Sequence, residues 1–401
     1  METKDYILIE DLHGAQNYHP LDVVIDKAKG IWVWDVEGKK YLDFLSAYSA
    51  VNQGHCHPRI VKTLQTQAKR LTLTSRAFRN DQWPLLAKEL CELTGYEMVL
   101  PMNSGAEAVE TALKLARKWA CQKKGLAQDT AEIIACANNF HGRTISIVGF
   151  STEPLYRKDF GPFTPGFPVI PYGDIAALEA AVTPNTAAFL VEPIQAEAGI
   201  LIPPPDYLKQ VRDTCTRKNI LFIADEIQTG LGRTGKLLAC EHEGVRPDIA
   251  IIGKSLGGGC YPISAVLSTA EIMGVFKPGE HGSTFGGNPL GCAVAREALK
   301  TTVEEKMIDN AAAMGRYFIE KLQTVRSRLI KEVRGRGLLI GVELVPEAGG
   351  ARRFCEALKD EGLLCKETHD NVIRFAPPLI IREKELNWAL KRIKKVFRNL
   401  K

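Results

Sequence analysis

The feature that most constrains this chain is an alternation in its middle. Short apolar runs at residues 132–137, 187–191, 220–224 and 249–252 are separated by segments whose apolar residues recur at helical spacing, as in 106–118 and 205–218. The runs have the length of strands and the segments between them the length of helices. Such an alternation predicts an α/β fold, a mostly parallel sheet covered by helices. At 401 residues the chain exceeds the usual size of one domain, so two are expected. From about residue 289 the pattern changes to a long helical stretch at 290–328, a strand-like run at 338–344, a helix at 351–361 and a final helix from Glu383, which reads as a smaller α+β domain. Near the start, 31–35 and 40–44 read as a hairpin across Glu37 and Gly38. The expected division is an N-terminal segment, 1–47, packing with the small domain, a large domain at 48–288 and the small C-terminal domain at 289–401.

Charge and cysteine content exclude several function classes. The net charge of +5 is spread along the chain apart from Lys391, Arg392, Lys394 and Lys395, which on an amphipathic helix form a solvated face, so no nucleic-acid partner is expected. The ten cysteines show no C-x-x-C pair and no secretory pattern, and read as reduced thiols of a cytoplasmic protein. No apolar run approaches the roughly 20 residues of a membrane span, so no membrane partner is expected either. His55, Cys56 and His57 resemble a metal site only superficially, because adjacent residues point in different directions, and no metal is expected.

The residues that carry chemistry sit at the ends of the apolar runs. Asp225 closes one and Lys254 follows another, and in a parallel sheet strand ends are where ligands bind. Burial lowers a lysine's pKa, and a neutral amine is the form that condenses with an aldehyde. A carboxylate on a neighbouring strand end can hold a pyridine nitrogen protonated and make the ring an electron sink. The pair thus suits pyridoxal 5'-phosphate. Taken alone, Asp225 reads rather as a helix cap and Lys254 as a snorkelling surface lysine. The glycine-rich segments after both favour close approach to a ligand.

Asn103, Ser104, Gly105 and Ala106 form a small-residue turn running into a helix, a place where free N–H groups bind a phosphate, although in isolation plain capping by Asn103 or Ser104 is the better reading. The turn at 281–289, with Ser283 and Thr284, could cap the same phosphate from another subunit or be an ordinary loop. Phe140 and Ile227 are candidates for the two faces of the ring, though a buried aromatic is more often core. His141 beside Phe140 reads as a satisfied histidine.

Together these residues resemble the class III, fold type I aminotransferases along essentially the whole chain. The stretches that carry the resemblance are NYHPL at 17–21, LSAYSAVNQGH at 45–55, NFHGRT at 139–144, VEPIQ at 191–195, DEIQTGLGRTG at 225–235, GSTFGGNP at 282–289 and VIRFAPP at 372–378. The resemblance implies a large domain with a mostly parallel seven-stranded sheet. It implies Lys254 as the covalent anchor of the cofactor and Asp225 on its ring nitrogen. Ser104, Gly105, Ala106 and Ser283 would serve the phosphate, together with Thr284 of a homodimer partner. Phe140, His141, Glu192, Ile227 and Gln228 would surround the ring.

For substrate, the resemblance implies that Tyr18 and Arg143 hold the carboxylate end of L-ornithine and that Tyr48 favours it over simpler ω-amines. Arg374 would grip the α-carboxylate of glutamate or 2-oxoglutarate, and Glu197 would mask Arg374 while ornithine is bound. The implied reaction is a ping-pong transfer of the δ-amino group of L-ornithine to 2-oxoglutarate. Alternatives within the family act on N-acetylornithine, 4-aminobutyrate or lysine. From another class, a non-catalytic phosphate-binding module would share the glycine turns and bind no cofactor. Two positions depart from the family pattern. Ser104 replaces threonine and keeps a hydroxyl. Ala196 replaces glycine beside Glu197, and a positive φ there would displace the carboxylate.

Overall fold

The computed structural model describes residues 1–400. Its centre is a seven-stranded sheet in the order Met98–Met102, Ser264–Ser268, Ile249–Ile252, Leu221–Asp225, Thr186–Val191, Glu132–Cys136, Val169–Ile170. The last five are parallel, and Ser264–Ser268 runs antiparallel to both of its neighbours. Every residue of Thr186–Val191, Leu221–Asp225 and Ile249–Ile252 is buried. That is why these strands read as continuous apolar runs: helices cover both faces of the sheet. Gly105–Trp119 packs Val109, Ala112 and Leu113 on one face, and Tyr207–Lys218 packs Leu208, Val211 and Cys215 on the other. The fold is the mixed α/β class with a mostly parallel seven-stranded sheet that the sequence led us to expect. Met98–Met102 and Ser264–Ser268 went unread. Pro101 argues against a strand, and is tolerated here because Met98–Met102 is an edge strand.

The stretch 290–328 is not one helix but two, Pro289–Glu304 and Met307–Gln323, broken where Lys306 takes a left-handed φ of 53°. No glycine or proline marks the break. The two helices serve different cores: Val294 and Ala298 pack on Ile60, whereas Met307, Ala311 and Phe318 join Leu338, Ile340, Phe354 and Phe397. That second core also holds Ile31, Leu42 and Phe44 from the start of the chain. The hairpin Trp32–Asp35 and Lys40–Asp43 is extended by a parallel bridge to Leu363–Leu364. A four-stranded sheet, Ile330–Arg336, Leu339–Leu344, Val372–Phe375 and Lys366–Thr368, completes this part. Among the described residues, no helix is long and apolar enough to cross a membrane.

Candidate active site

The parallel strands all end on one side of the sheet, and the chain leaving them builds a cavity of about 210 Å³. After Cys136 come Phe140 and His141, after Val191 comes Glu192, Asp225 ends its own strand and leads into Ile227 and Gln228, and Lys254 stands two residues past Ile252. Gly105 and Ala106, opening the helix Gly105–Trp119, close the cavity from another side. Nine residues singled out from the sequence therefore line one space. A larger groove of about 750 Å³ lies elsewhere, on the surface by Lys62, Glu89 and Arg296, where Arg296 pairs with Glu89 at 2.7 Å.

Asp225 is not a helix cap. Its Oδ1 accepts from the Ile227 N–H at 3.1 Å, and its Oδ2 lies 2.7 Å from His141 Nδ1. Burial lowers the pKa of His141, but the Asp225 carboxylate outweighs it and the net shift is upward. The other ring nitrogen of His141 is buried without a partner, so this histidine is only half satisfied. Lys254 is not a surface lysine: burial lowers its pKa, with Arg374 in the same direction, against the pull of Glu197 and Asp225. It also holds a φ of 45°, a conformation that strain restricts in residues other than glycine.

Glu192 accepts from the Phe140 N–H at 2.9 Å, and burial raises its pKa from 4.5 to about 8. A carboxyl group that holds its proton more tightly folded than unfolded adds stability in full below 4.5 and loses it as pH rises toward about 8. Glu192→Gln, always neutral, lacks this dependence. Across that window the melting temperature of the wild type should fall relative to the variant, and a difference constant with pH would show that Glu192 is ionised throughout.

Next to the cavity lies an ion pair. Arg374 is buried and donates twice to Glu197, at 2.8 Å to each oxygen, and also to Gln228 at 3.1 Å and Thr368 at 2.8 Å. Desolvation would raise the pKa of Glu197, but Arg374 outweighs it and brings the value to about 2. Ala196 has no positive φ; its methyl packs with Ile194, Ile200 and Leu339, while Gly199 takes the left-handed position at φ 107°. The carboxylate is therefore not displaced. The Arg374 guanidinium also lies 5.3 Å from the Tyr48 ring. Tyr18 is 75% exposed and close enough to Tyr48 to raise its pKa, after the larger effect of burial.

The remaining sequence candidates stand outside this chain's cavity. Ser104 caps its helix, accepting from the Glu107 N–H at 3.2 Å. Ser283 accepts from Asn103 Nδ2 at 2.7 Å, and Thr284 is exposed. Arg143 is exposed beside Phe140. His55 and His57 point to different partners, Asp43 at 2.7 Å and Glu305 at 3.2 Å.

A half-buried strand-end lysine, the Asp225 carboxylate at the end of the next strand, held by His141, and a helix N-terminus at the same cavity form an arrangement that can be compared across proteins. The pattern of the aminotransferase class-III family matches residues 13–397. The chain belongs to the class III aminotransferases. Among similar class III proteins is one named ornithine aminotransferase from Geobacillus sp. (strain WCH70), 59% identical over 99% of this chain and 99% of that one. The ornithine aminotransferase structure from Toxoplasma gondii superposes with a TM-score of 0.98 at 49% identity, covering 100% of this chain and 96% of the other. An acetylornithine aminotransferase structure from Elizabethkingia anophelis superposes at 0.91 with 50% identity, covering both chains completely.

Class III aminotransferases depend on pyridoxal 5'-phosphate, and the cavity fits that cofactor. It offers an amine for the aldehyde, a carboxylate for the ring nitrogen and an aromatic ring. The capping of Ser104 satisfies the third N–H of the helix, leaving those of Gly105 and Ala106 for an anion. The approach is also kept narrow: a Cβ on Gly105 would meet Ile227 at 3.1 Å, and one on Gly142 would meet Ala106 at 2.9 Å. Gly142 and Thr229 line the cavity and Thr368 braces the ion pair, and the sequence reading missed all three. Gly142 falls inside the NFHGRT stretch and could have been found there. Nothing in the sequence around Thr368 points to Arg374.

Proposed function

We propose that this class III aminotransferase moves the δ-amino group of L-ornithine to 2-oxoglutarate, yielding glutamate 5-semialdehyde, which cyclises to pyrroline-5-carboxylate, and glutamate. The observation that carries the reading is the Arg374–Glu197 pair beside Lys254. It gives one site two states, a neutralised one for a chain ending in an amine and an uncovered arginine for an α-carboxylate. The similarity to proteins named ornithine aminotransferase supports the same substrate.

When bound, pyridoxal phosphate supplies an electron sink for the carbon that bears the amino group. In this reading Lys254 anchors it, Gly105 and Ala106 hold its phosphate through N–H groups, and Ser104 and Ser283 brace that turn. Phe140 and Ile227 cover its faces, Gln228 approaches the ring hydroxyl, and Asp225, held by His141, keeps the ring nitrogen protonated; Glu192 fixes Phe140. The Lys254 amine, whose pKa burial lowers, takes the proton from the δ-carbon and returns one at the end. Tyr18 and Arg143 receive the substrate's carboxylate end and Tyr48 favours ornithine over simpler ω-amines.

Thr284 would reach the phosphate site of a second copy, so the reading includes a homodimer. It also includes the division into 48–288 around the large sheet and 1–47 with 289–401, within which the helix Pro289–Glu304 packs with the large domain and the second core begins at Met307. The ten unpaired cysteines support a reducing compartment, the cytoplasm.

The likeness to an acetylornithine aminotransferase favours one other reading, N-acetylornithine as donor. The visible absorption band of the holoenzyme separates the two. L-Ornithine alone should bleach it and 2-oxoglutarate restore it, with N-acetylornithine and 4-aminobutyrate leaving it in place. Faster bleaching by N-acetylornithine would replace the ornithine reading, and no response to any amine would end both.

A further inference from the structure

Two arginines stand beside this cavity, and the chain treats them oppositely. Arg374 is buried and held by Glu197 at 2.8 Å. Arg143 is exposed, and its guanidinium rests on aromatic rings, 4.0 Å from the centroid of Tyr156 and 5.9 Å from that of Phe140. Tyr156 meets Phe140 edge to face at 6.0 Å, so one aromatic unit connects the cavity wall to the arginine. The ring is well held: it sits in the helical turn Pro154–Arg157, capped by Glu153, which accepts from the Leu155 N–H at 3.2 Å, and tied down by Arg157, which donates to the Ser151 carbonyl at 2.9 Å. Burial raises the pKa of the Tyr156 hydroxyl, Arg143 draws it back, and Glu197 raises it again, so the hydroxyl feels both charges. A guanidinium on a ring face is oriented without being neutralised, so its charge stays available to an incoming anion.

We propose that Tyr156 is a positioning residue for substrate recognition: its ring carries the Arg143 guanidinium beside the cavity in the orientation that receives the carboxylate end of the amino donor. This deepens the function proposed above and rests on Arg143 receiving that carboxylate. Phe140 fixes the ring's edge and the capped turn fixes its backbone, so the arginine is aimed before substrate arrives, which lowers the ordering cost of binding.

The test compares holoenzyme of the wild type, Tyr156→Leu, Tyr156→Phe and Arg143→Gln, using L-ornithine as substrate. Pentanoate, which has a carboxylate and no amine, and 1,4-diaminobutane, which has amines and no carboxylate, serve as competitive inhibitors. Tyr156→Leu should raise the KM for ornithine and the inhibition constant of pentanoate together, by about five- to thirty-fold. It should leave kcat and inhibition by 1,4-diaminobutane unchanged within about two-fold. Tyr156→Phe, which keeps the ring, should restore wild-type values. An unchanged ornithine KM in Tyr156→Leu, or equal weakening of both inhibitors, overturns the proposal, the second result marking a merely structural role. If Arg143→Gln raises the KM and Tyr156→Leu does not, only the role of Tyr156 falls. If Arg143→Gln leaves it unchanged, the reading of Arg143 falls, and the proposal with it.

Discussion

Lys254→Ala should lower transamination by about 10²–10⁴-fold, the range that a positioned proton-transfer group supplies. The variant should also retain no covalently attached cofactor mass after borohydride reduction, whereas the wild type should. The reason lies in the lysine's surroundings. Burial keeps its amine closer to neutral than a surface lysine, while Asp225 and Glu197 nearby prevent the full loss of its basicity. Alanine removes both the anchor and the base and leaves the cavity walls in place, so the melting temperature should stay near that of the wild type. Residual activity within about ten-fold of the wild type would mean that another group moves the proton.

The second large effect concerns Arg374. Arg374→Lys keeps a cation near Glu197 but loses the planar fork that donates to both carboxylate oxygens at 2.8 Å. Hydrogen bonds to charged groups are worth about 1.5–3 kcal/mol, so the KM for 2-oxoglutarate should rise roughly ten- to hundred-fold. The ornithine half-reaction, in which Glu197 covers the arginine, should change little. Lysine is the better probe than alanine, because alanine would leave Glu197 partly buried without a counter-charge. Rapid mixing with one substrate at a time reads the two halves separately. Equal losses in both would make Arg374 structural, and no loss in either would move dicarboxylate recognition elsewhere.

Much of this site could be read before the fold was known, because its chemistry sits at strand ends. The runs that end near Cys136, Val191, Asp225 and Ile252 are apolar throughout because both faces of the sheet are covered, so each end is marked by the first polar residue or glycine. Asp225 and Lys254 follow from that rule, whereas Glu192 came only with the family resemblance and Phe140 stands four residues past its strand. The helix break at Lys306 does not, since the apolar periodicity runs through it and only the choice between two cores bends the chain. The role of Ser104 was also open, and the structure shows its hydroxyl accepting from the Glu107 N–H as a helix cap.

The sequence by itself determined the alternating α/β architecture, the strand-end chemistry and the family, because each is written in local periodicity or contiguous motifs. Only the tertiary structure decided which charges meet. Arg374 finds Glu197 across 177 positions, Tyr156 comes under Arg143 by the placement of one short turn, and His141 reaches Asp225 because their strands end on the same side of the sheet. Such pairings depend on sheet order and on the packing of distant segments, and a linear pattern carries no record of distance in space.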